Sequence, residues 1–319
     1  MKPHILVTRK LPDAALQKLA DYFEITLNQE DKVLNKNEII QAIPNKDALL
    51  CLLTDPIDKQ VIEAGSKLKV ISNYAVGFNN IDLNEATRRK IPVCITPGIL
   101  TEATADLTFA LMLAIARRIV EADMFTRKGL FKGWAPELFL GSDMSGKTLG
   151  IIGMGRIGQA VAQRARGFNM KIVYHSRTPK TIADAKHVPL NELLQTSDFI
   201  SLHTPLTPET QHLIGEKEFK LMKKSAFLIN TTRGPVVDEK ALLHVLQTKQ
   251  IAGAGLDVYE REPEITPGLM QLDNVILLPH IGSATIETRT KMAFIAVDNA
   301  IAIFERRRPY AIANPEVLG

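Results

Sequence analysis

The sequence predicts an α/β protein of two domains, each built on a parallel sheet covered by helices. Three observations carry that prediction. Short apolar runs alternate with amphipathic helical patterns from one end of the chain to the other. One run, 147–152, leads directly into Gly153-Met154-Gly155-Arg156-Ile157-Gly158, a glycine turn that opens a helix. The length, 319 residues, is also more than one hydrophobic core usually organises.

The strand-like runs of the first third are 5–8, 48–53, 70–73 and 92–95, with helical patterns between them such as 12–20 and 58–65. A long helix is expected over 102–127, acidic early and basic late, as the helix dipole favours. A second series of strands follows at 148–153, 171–174, 199–202, 226–230, 253–257 and 275–278. The last helix, 286–305, has no strand after it in that second sheet. The chain is therefore expected to cross back, giving one domain of 1–100 plus 286–319 and another of 101–285. No internal repeat interrupts this pattern.

Composition narrows the function. With 45% hydrophobic and 23% charged residues the chain reads as globular rather than disordered. A net charge of +4 suits a small anionic ligand but is too weak and dispersed for nucleic acid. The tight run Arg306-Arg307-Arg308 reads as a solvated helix end. Cys51 and Cys94 lie far apart in apolar runs and read as buried free thiols in a reducing compartment. Neither has a Cys or His partner at zinc spacing, so no metal site is expected. The first apolar segment is short and reads as a strand rather than a signal peptide. The longest apolar stretch, 107–115, falls far short of the ~20 residues a membrane span needs. A cytoplasmic protein without membrane contact is expected.

The glycine turn implies a dinucleotide cofactor because each glycine has a separate task there. Gly153 permits the tight turn, Gly155 lets backbone approach a pyrophosphate, and Gly158 lets helix and strand pack closely. Met154, Arg156 and Ile157 complete the turn, at a helix start whose unpaired N–H groups attract anions. The next strand ends in His175-Ser176-Arg177-Thr178, without the carboxylate that binds the ribose hydroxyls of NAD. Ser176 and Thr178 offer hydrogen bonds and Arg177 a charged one to a 2′-phosphate. NADPH is favoured; the alternative, which admits NADH, has Arg177 stacked on adenine without discriminating.

Three polar residues stand at predicted strand ends: Arg233, then Glu262 before Pro263, and His280 after Pro279. Singly, each fits a structural role. With the glycine turn they form a longer series: Asn73-Tyr74-Ala75-Val76-Gly77, Thr101-Glu102-Ala103-Thr104-Ala105-Asp106, Asn230-Thr231-Thr232-Arg233-Gly234, Asp257 with Glu262-Pro263, and Pro279-His280-Ile281-Gly282. In that series the chain resembles the D-isomer-specific 2-hydroxyacid dehydrogenases over nearly its whole length. Trp134-Ala135-Pro136-Glu137 and His175-Ser176-Arg177-Thr178 look most like the glyoxylate/hydroxypyruvate reductases of that family.

The resemblance implies two Rossmann-like domains: a doubly wound NAD(P)-binding domain and a flavodoxin-like substrate domain, assembled as a homodimer. It implies that Arg233 clamps the substrate carboxylate and polarises its carbonyl. His280 would protonate the carbonyl oxygen as hydride arrives, and Glu262 would orient the His280 ring. Glu260 and Glu264 compete for that last role, but only Glu262 precedes proline. Backbone N–H groups of Val76 and Gly77 would hold the same carboxylate, although Asn79-Asn80 stands where relatives often have Asp-Asn. Asp257 would bind the nicotinamide amide and Thr104 border its ring, with Thr231, Thr232, Ile281 and Gly282 among the other cofactor contacts. Trp134, the one tryptophan, would reach into the partner's site. Leu52 and Leu53 would form the apolar side of the substrate pocket or simply belong to the core. The implied activity is NADPH-preferring reduction of small 2-oxo acids, glyoxylate and hydroxypyruvate first. Phosphoglycerate, D-lactate, formate and phosphite dehydrogenases are the neighbouring alternatives; formate dehydrogenases lack a counterpart of Glu262. A dinucleotide-sensing protein like the family's corepressors is the alternative outside catalysis.

Overall fold

The computed structural model describes residues 1–318, which divide into two compact units: Met1–Leu100 with the chain from Ala284 onward, and Thr101–Ser283. The first unit holds strands β1 (His4–Val7), β2 (Glu24–Leu27), β3 (Ala48–Cys51), β4 (Val70–Asn73) and β5 (Val93–Cys94). All pair in parallel, in the order β2-β1-β3-β4-β5, the flavodoxin-like order. β3 and β4 are buried at every position, as strands covered by helices on both faces must be. One face is covered by helices Asp13–Tyr22 and Ile286–Phe304, and the other by helices including Lys36–Ala42 and Lys59–Ala64.

Helix Ile286–Phe304 belongs to this unit through specific bonds as well as packing. Ser72 Oγ donates to the Ala296 carbonyl at 2.7 Å, and Asn299 Nδ2 donates to the Ile95 carbonyl at 3.1 Å. Buried hydroxyls and amides inside a helix–sheet interface persist only when paired in this way.

The second unit adds β6 (Thr148–Ile152), β7 (Lys171–His175), β8 (Ala185–His187), β9 (Phe199–Leu202), β10 (Phe227–Asn230), β11 (Gly253–Leu256) and β12 (Val275–Leu277). They form one parallel sheet in the order β12-β11-β10-β9-β6-β7-β8. The order reverses between β6 and β9, so their C-terminal ends open a crevice between helices on opposite faces. Helices Thr101–Ala116 and Arg156–Gly167 cover one face, while Leu190–Thr196 and Glu239–Gln247 cover the other.

Three elements depart from the sequence expectations. β2 and β8 were not anticipated: β2 alternates exposed and half-buried residues, β8 has three residues, and both are sheet edges. The single helix expected over 102–127 is two, Thr101–Ala116 and Ile119–Arg127, joined at Arg118 with φ 53°. The cause is a tertiary bond. Ser142 N–H donates to the Ala116 carbonyl at 2.8 Å, occupying the group that a continuous helix would offer to residue 120. Gly141 makes the approach possible, because a Cβ there would overlap the Ala116 carbonyl oxygen. Among the described residues no helix is long and apolar enough to cross a membrane.

Candidate active site

The candidate residues of the second unit cluster at the C-terminal edge of its sheet because every strand runs the same way. Gly153 follows β6 with φ 98°, and its N–H donates to the His175 carbonyl at 2.9 Å. A Cβ at this position would stand 2.5 Å from the His203 carbonyl oxygen, so only glycine fits. Gly158 is buried and faces the Gly153 carbonyl closely. Gly155 differs from both: it is exposed, and a Cβ there would meet nothing within 4 Å.

Helix Arg156–Gly167 starts at Gly155 without a side-chain cap, so its first N–H groups face that open space. Thr204, after β9, has a buried Oγ1 with no hydrogen-bond partner among the described residues. An open backbone cradle, an uncapped helix start and an orphaned hydroxyl fit the pyrophosphate of a dinucleotide. Met154 is different in kind. Its side chain is buried in the core, so only its backbone belongs to the turn's surface.

The segment after β7 presents Arg177 and Thr178 as exposed and Ser176 as half-buried, with Ser176 Oγ donating to the Thr178 carbonyl at 2.8 Å. His187 Nε2 meets the Ser176 carbonyl at 3.1 Å, which ties this segment to β8.

Arg233 and the Glu262–His280 pair follow β10, β11 and β12. Burial pushes the Arg233 guanidinium pKa down against the opposing charge of Glu262. Among the described residues its side chain makes one hydrogen bond, from Nη1 to the Thr232 carbonyl at 2.7 Å. A desolvated guanidinium with few protein acceptors has the chemistry to bind an anion. Gly234 keeps this loop against the next one, since a Cβ there would overlap the Tyr259 carbonyl.

His280 Nδ1 lies 2.8 Å from Glu262 Oε2. Burial raises the Glu262 pKa, but the His280 hydrogen bond and charge, the Tyr259 N–H and the Arg233 charge outweigh it. The net value falls below the ordinary glutamate value. An ionised carboxylate only accepts, so the proton in this bond sits on His280 Nδ1 and Nε2 is left for exchange. Glu260, one of the sequence competitors for this role, bonds His212 Nε2 at 2.9 Å instead. Of the competing glutamates, Glu262 is the one bonded to His280.

Other expected residues also hold the loops. Asp257 is 1% exposed, and its two oxygens accept the N–H groups of Ile281 and Gly282, each at 2.7 Å. It pins the loop that carries His280. Burial pushes its pKa up despite those bonds. Thr104 Oγ1 donates to the Gly282 carbonyl at 3.1 Å, Thr231 Oγ1 pairs with Thr108 Oγ1 at 3.0 Å, and Thr232 Oγ1 donates to the Thr204 carbonyl.

In the first unit, Val76 and Gly77 lie half-buried in the turn after β4. Asn73 Nδ2 donates to the Gly77 carbonyl at 2.9 Å, which shapes that turn from beneath. Leu53 lies beyond the end of β3 and is exposed, whereas Leu52 is half-buried. The reading of Leu53 as core is therefore wrong; its loop leaves the sheet. Sequence reading missed what holds this loop. Buried Asp55 accepts from Thr8 Oγ1 at 2.5 Å and from Leu52 N–H at 2.7 Å, and Asn80 Nδ2 donates to the Leu52 carbonyl at 2.9 Å. The available signal was an aspartate directly before Pro56, a common turn former. Trp134 is 85% exposed, in a stretch, 128–138, whose residues are all exposed.

The chain matches known proteins throughout. Residues 109–282 match the family model described as D-isomer specific 2-hydroxyacid dehydrogenase, NAD binding domain. The chain is 52% identical to the glyoxylate reductase of Thermococcus litoralis, over 100% of this chain and 98% of that one. A Thermus thermophilus crystal structure superposes with a TM-score of 0.93 at 46% identity, covering 97% of this chain and 99% of that one. The NADPH-dependent glyoxylate/hydroxypyruvate reductase of Sinorhizobium meliloti, solved with NADP and malonate, superposes with a TM-score of 0.87. It is 31% identical and covers 99% of this chain and 98% of that one.

Proposed function

The chain belongs to the D-isomer specific 2-hydroxyacid dehydrogenase family, and from that premise we propose that it reduces glyoxylate to glycolate with NADPH as the preferred reductant. Hydroxypyruvate is the second substrate of this reading. The observation that carries it is the Glu262–His280 pair at 2.8 Å, on the sheet edge where the glycine turn opens.

Bound nicotinamide supplies the hydride; this chain's residues do the rest. Arg233 receives the substrate carboxylate, where its uncommitted donors form a charged fork. The same guanidinium favours negative charge developing on the carbonyl oxygen. His280 Nε2 delivers the proton to that oxygen while Nδ1 stays bonded to Glu262, and it takes the proton back in the oxidative direction. Val76 and Gly77 are proposed to offer backbone N–H groups to the carboxylate. The atoms balance as one hydride and one proton added across the C=O bond, leaving oxidised cofactor and a hydroxy acid.

The proposed NADPH preference is supported by the segment after β7, which carries Ser176, Arg177 and Thr178 and no carboxylate to repel a 2′-phosphate. The NADPH-dependent relative from Sinorhizobium meliloti supports it. The same reading takes the active form as a homodimer. Helix Ile119–Arg127 buries none of its residues, and Ile119, Met124, Phe131, Trp134 and Leu140 are exposed on and after it. Steady-state reduction of a panel of 2-oxo acids with NADPH and NADH tests the substrate and cofactor assignments together. The expected result is highest kcat/KM for glyoxylate with NADPH. Binding of NADPH without turnover of any 2-oxo acid would sink the reading and favour a sensor role.

A further inference from the structure

We propose that Tyr259 is a positioning residue for the Glu262–His280 pair, acting on one partner through its backbone and on the other through its hydroxyl. The inference rests on the proposed function in taking His280 as the proton carrier. Tyr259 N–H donates to Glu262 Oε1 at 3.1 Å, and the carboxylate's other oxygen meets His280. Its Oη–H donates to the Leu278 carbonyl at 2.8 Å, two residues before His280.

That second bond has no substitute. The Leu278 carbonyl belongs to the peptide unit leading into Pro279, which has no N–H. The carbonyl is therefore the one group by which hydrogen bonding can set that peptide plane. On the other side of His280, Asp257 grips the N–H groups of Ile281 and Gly282. Asp257 and Tyr259 lie two residues apart on the extension of β11, and between them they fix both flanks of His280.

His280 needs such a frame because its φ is 55°, a conformation that side chains with a Cβ adopt at a cost of about 1–3 kcal/mol. Tyr259 is itself immobilised. It is 6% exposed, its ring packs in the core beside β11, and its carbonyl lies against Gly234. Glu260 N–H, the next along, donates to buried Glu239 Oε1 at 2.5 Å. Burial also pushes the Tyr259 phenol up to about 12, so it remains a donor across the working pH range.

The test is Tyr259→Phe in the full-length protein, which removes one oxygen and keeps the packed ring. Ser197→Ala serves as the control, since Ser197 Oγ makes a comparable buried bond to the Leu193 carbonyl away from this loop. Each variant is assayed for glyoxylate kcat and KM, NADPH affinity, thermal midpoint and the ¹⁵N-edited NMR signal of the His280 Nδ1–H. Tyr259→Phe is expected to lower kcat about tenfold, since small misplacements at the chemistry cost this much or more. NADPH affinity should stay within about twofold of wild type, and the Nδ1–H signal should broaden or vanish. Ser197→Ala should lose thermal stability while keeping kcat and the signal. If Tyr259→Phe keeps wild-type kcat and an unchanged Nδ1–H signal, whatever its thermal midpoint, Tyr259 only fills the core and the proposal falls. The NMR readout needs no substrate. If wild type turns over no 2-oxo acid, the functional reading fails while the signal still decides the role of Tyr259.

Discussion

At residue 280 a histidine is held in left-handed backbone geometry by Asp257 and Tyr259 of the segment after β11, and Glu262 of the same segment holds its ring. Strain of this kind persists only where neighbours over-determine it, and here the neighbours are Asp257 and Tyr259. The placement of Arg233, Glu262 and His280 beyond strand ends was legible in the sequence because each follows a recognisable buried strand. The work of Asp257 and Tyr259 was not, because a bond from one strand end to a loop about twenty residues later leaves no periodic trace. The Glu262 shift has a testable sign. Its folded value lies below the ordinary glutamate value of about 4.3, so its contribution is complete above that pH and is lost as pH falls through the folded value. Thermal midpoints of wild type and Glu262→Gln should therefore differ by a constant amount above about pH 5 and converge as the pH falls through the lowered value. A gap that widens as the pH falls would show that the carboxylate's charge is not what stabilises the pair.

At the scale of elements, buried strands and the glycine turn read clearly from sequence, whereas edges and breaks did not. β2 and β8 are short edge strands with little apolar contrast, and the break at Arg118 is imposed by Ser142 and Gly141 from outside the helix. A helical pattern records which face is apolar. It does not record a distant N–H that captures a carbonyl. The turn itself separates two glycine functions that the motif treats alike. Gly153→Ala forces a side chain into a φ of 98° and against the His203 carbonyl, and should lower the urea midpoint, with a loss of more than ~1 kcal/mol. Gly155→Ala meets open space, so it should keep the wild-type midpoint yet bind NADPH at least about tenfold more weakly, by filling the phosphate approach. Equal midpoints for the two variants would contradict this division of labour.

Over the whole molecule, the chain builds two parallel α/β units, the first completed by a helix from the far end of the sequence. That return was legible because the second sheet ran out of strands before the last helix. Several large apolar residues after residue 118, among them Ile119, Met124, Phe131, Trp134 and Leu140, are exposed, and the proposed homodimer would cover them. Light scattering on the purified protein should give twice the 35.3 kDa of one chain, and Phe131→Asp should shift it toward the monomer. A wild-type mass of one chain at micromolar concentration would overturn the assembly without touching the chemistry.

The chemistry stands or falls on a single comparison. Glyoxylate reduction by wild type and His280→Ala is measured side by side, with NADPH affinity determined on the same samples. The expected result is rapid turnover by wild type, turnover at least about a hundredfold lower in His280→Ala, and NADPH affinity alike in both. A His280→Ala enzyme that reduces glyoxylate at the wild-type rate would contradict the role of the Glu262–His280 pair at its root.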